Sequence, residues 1–127
     1  MNDSVRAEWR LAADKKAPGT ARGLVREAVG LELPAERVDA LLLLVTEVIT
    51  NAILHGSPEP DGKIGLRLER DGGIVRIIAI DGGHHFSPEL AEPGDPPQFG
   101  LYLVDSLADR WGVSVDGEKA IWFEMHF

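Results

Sequence analysis

The stretch LLLLVTEVITNAILHG, Leu41 to Gly56, decides how the rest of the chain is read. At about 100° per residue, Leu41, Leu42, Val45, Val48, Ile49 and Ala52 line one stripe of a helix, so this segment should supply the helical side of a core. Pro34 fits the start of that helix, and Gly56 with Pro58 its stop, which predicts a helix from Pro34 to His55. Glu47, Asn51 and His55 follow one another at i, i+4 spacing on a neighbouring stripe that borders the core face. Taken alone, such a stripe is ordinarily a solvated flank, with the terminal His complementing the helix dipole.

Outward from this helix, VRAEWRL (Val5–Leu11) alternates apolar and polar residues as a half-buried strand does. After Pro18 and Gly19, TARGLVREAV reads as a first helix with Thr20 as N-cap. KIGLRLER puts Ile64, Leu66 and Leu68 on one face, Asp71 to Gly73 make a hairpin turn, and IVRIIAID, apolar on nearly both faces, is expected to be central. From His84 to Gln98 four prolines, Gly94 and three acids describe a long loop, the length of a functional lid or a disordered segment. FGLYLVDSLADRW is expected as a third helix, and GVSVDGEKAIWFEMHF as a closing hairpin with Ile121, Phe123, Met125 and Phe127 inward. The pattern predicts an α/β (α+β) two-layer sandwich, three helices on one face of a largely antiparallel mixed sheet. With 127 residues, a single domain over 1–127 is expected.

A formal charge of −8 with scattered basic residues argues against nucleic-acid binding. There is no cysteine, which excludes disulfides and thiolate chemistry. No stretch is long and apolar enough to span a membrane, and MNDSVRAEWR lacks the apolar core of a signal peptide, so a cytoplasmic location is expected. His84 and His85 find no further ligands at useful spacing, and a structural metal is not expected there. Trp9, Trp111 and Trp122 read as sheet packing, with Trp122 on an outer face and so a candidate partner surface.

Three further features bear on the polar stripe. Asp81 ends the central strand with glycines behind it, and QFGL opens the third helix after the long loop. A helix N-terminus behind a glycine presents free N–H groups suited to phosphate. Acceptor, close-approach glycine, helix amide and open helix end together describe a nucleotide site. In their order and spacing, VTEVITNAILHG, DGG…F, FGLYLVDSLADRWGV and GEKAIWFEM resemble the GHKL ATPase superfamily (the Bergerat fold), and within it the small bacterial anti-sigma factor serine kinases of the RsbW and SpoIIAB type.

The resemblance implies ATP and Mg²⁺ as cofactors. It implies that Asn51 coordinates Mg²⁺ and that Glu47 is the general base for an incoming serine hydroxyl or a polariser of the attacking group. His55 would support the phosphate end, Asp81 would accept from the adenine amino group, and Gly83 would let the base approach the backbone. Gly100 and the N–H groups after it, Leu101 first, would receive phosphate. The implied partners are a STAS-domain anti-anti-sigma factor, a sigma factor and a second copy in a homodimer. This chain departs from the family pattern at His85, in the first glycine box, and at Pro97 and Gln98 before the third helix. Those side chains restrict what glycine permits, and favour the alternative of a catalytically inactive GHKL-fold module that sequesters a regulatory partner.

Overall fold

The computed structural model describes residues 4–30, 33–55, 62–80, 101–114 and 120–127. The chain runs β1 (Val5–Ala12), α1 (Ala17–Val29), α2 (Ala35–His55), β2 (Lys63–Asp71), β3 (Ile74–Ile80), α3 (Tyr102–Leu107), β4 (Arg110–Ser114) and β5 (Ala120–His126). The strands form one sheet in the order β1-β2-β3-β5-β4. Period-2 alternation decides its faces: Ile64, Leu66 and Leu68 of β2, Val75, Ile77 and Ala79 of β3, and Ile121, Phe123 and Met125 of β5 are all buried. One row of paired residues, Ala7–Leu68–Ile77–Phe123–Trp111, crosses all five strands.

Against this face lie α1, through Ala17, Ala21, Val25 and Val29, and α2, through the expected stripe and Leu44. The two-layer sandwich is therefore as expected, and β3 is the central strand. Every pairing among the described strands is antiparallel, where a mixed sheet was expected. The reason is topological. β4 runs in the direction of β3, but β5 lies between them and pairs antiparallel with both.

Two helix boundaries also differ. α1 begins at Ala17, so Pro18 lies inside its first turn, where a missing N–H costs nothing. Thr20 is not the N-cap; its N–H donates to Lys16 O (3.0 Å), while Asp14 Oδ1 accepts from Lys16 N (2.9 Å) and starts the turn. α3 ends at Leu107, and Arg110 and Trp111 belong to β4. Asp109 is taken over by β5: its N–H donates to Glu124 O (2.9 Å) and its carboxylate accepts from His126 N (2.7 Å). Arg37, near the start of α2, donates to the His126 carbonyl and holds the last strand to that helix.

Two glycines should respond oppositely to alanine. Gly23 is exposed inside α1 with nothing within 4 Å of an added Cβ, so Gly23→Ala should stabilise by about 0.5–1 kcal/mol. A Cβ on Gly73 would sit 2.8 Å from the Phe127 carbonyl oxygen, a backbone atom that cannot swing aside. Gly73→Ala should cost about 1–3 kcal/mol. Urea midpoints moving in opposite directions would check both.

Candidate functional site

One turn before the end of α2, the interior of the sandwich acquires its one buried amide among the described residues. Asn51 is 4 % exposed, deeper than a residue bordering the core face. Its Nδ2 donates to the Glu47 carbonyl one turn back (2.9 Å). Its Oδ1 is buried with no hydrogen-bond partner, the only side-chain atom in that position among the described residues. Native structures leave few such atoms, because each costs about 1–3 kcal/mol of unreturned desolvation. Helix back-bonding engages the amide nitrogen and leaves the oxygen lone pairs uncommitted.

Glu47 is partly exposed, so its carboxylate keeps access to solvent while its backbone carbonyl binds Asn51. The two expected α2 residues are thus joined directly. His55 is the last residue of α2, and its side chain lies outside the described residues. Asp81, Gly83, Gly100, the loop from His84 to Gln98 and the helix stop at Gly56 and Pro58 also lie outside them.

Leu101 precedes α3 as its N-cap and is 2 % exposed, with its side chain in the core. Only its backbone could meet a ligand. Its carbonyl already accepts from Asp105 N (2.9 Å). α3 packs on α2, which brings Leu101 to the helix that carries Asn51.

The donor chemistry at Asn51 suits Mg²⁺. A hard cation of this kind takes one or two protein oxygens and completes its shell with phosphate and water. One orphaned amide oxygen offers such a ligand, and no larger cage is needed. Among the described residues there is no group of three or more His, Asp or Glu side chains placed to hold a metal by themselves.

Sequence reasoning did not find the burial of Asn51, nor a second polar cluster at Arg76 and Glu124. Glu124 is 7 % exposed on the sheet face away from the helices, with its carboxylate accepting from Arg76 Nε (2.9 Å). The available signal was an Arg and a Glu at matched outward positions of two otherwise apolar strands. No helix among the described residues is long and apolar enough to cross a membrane.

A family model described as histidine kinase-like ATPase domain matches residues 11–125. No curated protein matches the chain closely. The match takes in every strand and helix from the end of β1 to β5. The chain belongs to the histidine kinase-like ATPase family, within the GHKL superfamily.

Proposed function

We propose that this protein is an ATP-binding anti-sigma factor and protein-serine kinase, acting in the cytoplasm on a STAS-domain anti-anti-sigma partner. The observation that carries the nucleotide half is the orphaned Asn51 Oδ1, a buried oxygen available as a ligand within the segment that the family model matches. Bound Mg²⁺ supplies charge neutralisation of the triphosphate. Asp81 reads the adenine amino group, Gly83 allows close approach of the base, and Gly100 with the Leu101 N–H takes phosphate. His55 supports the phosphate end.

Glu47 is the general base in this reading. It accepts the proton of the partner's serine hydroxyl as the Oγ–phosphorus bond forms and the bond from the γ-phosphorus to the β,γ-bridging oxygen breaks, leaving ADP. Its half-exposed position beside the buried Asn51 suits this role, since the carboxylate must meet a group delivered from another protein. Phosphoryl transfer of this sort depends on positioning and electrostatics, which a small site can supply. In this reading the protein binds the sigma factor to block transcription, phosphorylation of the STAS partner prevents the protein's own capture by that partner, and a second copy completes a homodimer.

Phosphate transfer from labelled ATP to a STAS-domain serine tests the reading. Glu47→Gln should lower the rate by about 10²–10⁴-fold and leave ATP affinity unchanged. Transfer at the wild-type rate by Glu47→Gln would remove Glu47 from the chemistry. His85 and Gln98, in the glycine boxes, favour the second reading, a sequestering module without kinase activity. ATP binding, or partner binding, with no transfer by the wild-type chain would establish it.

A further inference from the structure

Among the described residues the helices cover one face of the sheet, and the other face differs from the rest in charge. Arg6, Arg10, Lys63, Arg67, Arg76 and Arg110 occupy its outward strand positions, six of the chain's thirteen Lys and Arg residues. Among the described residues, four acids, Glu8, Glu69, Asp71 and Glu124, share it. Counted over the described strand positions the face is net positive, on a chain of formal charge −8.

It is also apolar along its middle. Ile74 is 43 % exposed, and Ile78, Ile80 and Trp122 are half-buried on the same side of β3 and β5. The Trp122 indole lies over Gly112, whose added Cβ would meet the ring at 3.0 Å, so the ring forms a flat platform on β4. The guanidinium carbons of Arg76 and Arg110 stand 4.6 and 5.7 Å from its ring centre. Glu124 anchors both, with Arg110 Nη1 3.6 Å from its carboxylate, yet their side chains remain 37 % and 64 % exposed. A guanidinium has five N–H donors, so each keeps capacity for a further acceptor. Between Arg67 and Arg76 lies an open depression of about 560 Å³, floored by Ile78, Ile80 and Trp122 and bordered by Glu69.

We infer that this helix-free sheet face docks an acidic protein segment, its carboxylates received by Arg67, Arg76 and Arg110 and its apolar side chains laid on Trp122 and the isoleucine strip. Charge complementarity selects this occupant. Two copies placed face to face would set net positive charge against net positive charge. A nucleic-acid backbone needs an uninterrupted cationic track, and here Glu8 lies 3.5 Å from Arg67 while Glu69 and Glu124 divide the remaining cations. The surface does not involve Glu47 or Asn51, and its occupancy is independent of nucleotide.

The test uses the full chain and a short fluorescein-labelled peptide of glutamate and leucine, followed by anisotropy. Binding should weaken in high salt and by about tenfold in an Arg67→Ala, Arg110→Ala double variant, two well-exposed side chains at a screened contact. Trp122→Phe should weaken it independently of salt. A matched peptide with lysine for glutamate should not bind. Equal binding of the lysine peptide, or unchanged affinity in the double variant, would overturn the assignment. So would preferential binding of labelled oligouridylate, or self-association by sedimentation that the double variant abolishes.

Discussion

Asn51→Leu should abolish stabilisation by Mg²⁺-ATP while leaving the ligand-free protein at least as stable as the wild type. The two halves of this expectation come from one atom. Oδ1 is buried without a partner, so the wild-type apo fold carries its desolvation cost, about 1–3 kcal/mol. Leucine is close in size and removes that orphan, at the loss of one helix back-bond from Nδ2 to Glu47 O. A gain of about 1 kcal/mol in the apo protein is expected. With ligand the order reverses. The wild type gains about 2.7 kcal/mol at a hundred times its Kd, and the variant gains nothing. Melting curves with and without Mg²⁺-ATP read both quantities. A variant destabilised without ligand would mean that Asn51 is held by the fold for packing alone.

Phe123→Ala should have the largest effect on stability. Phe123 is fully buried in the row that crosses all five strands, flanked by Ile77 on β3 and Trp111 on β4. Truncation leaves a cavity that the sheet cannot close without moving both neighbours, and such changes cost about 3–5 kcal/mol. The melting midpoint should fall by roughly 12–20 °C in a domain of this size. Trp122→Ala, one residue away on the opposite face, should cost much less, because its ring rests on the surface of the sheet. Comparable losses in the two variants would contradict the assignment of inner and outer faces.

The parts of the fold legible in the sequence are those whose periodicity is undisturbed. Ile64, Leu66 and Leu68 declared the inner face of β2, and Leu41 to Ala52 the buried stripe of α2, because burial repeats with the geometry of each element. The errors fall where a distant partner decides. Nothing local ends α3 after Leu107; the bonds from Asp109 to Glu124 and His126, formed across the sheet, draw that segment into β4. In the sequence the first helix reads as starting after Pro18 and Gly19, whereas a first-turn proline is compatible with helix and α1 includes both. At the site, the spacing of Glu47 and Asn51 was visible, but the depth of Asn51 depends on how α2 sits against the sheet and α3. An unpartnered oxygen has no sequence signature at all.

The central claim is that this member of the histidine kinase-like ATPase family binds Mg²⁺-ATP at Asn51. The most direct test is a thermal-melt titration of the wild-type chain and Asn51→Leu with ATP, in Mg²⁺ and in chelator. The account predicts a rise of something like 10 °C at saturating Mg²⁺-ATP, smaller in chelator and missing in Asn51→Leu. No shift in the wild type at millimolar ATP, or an equal shift in the variant, would contradict it.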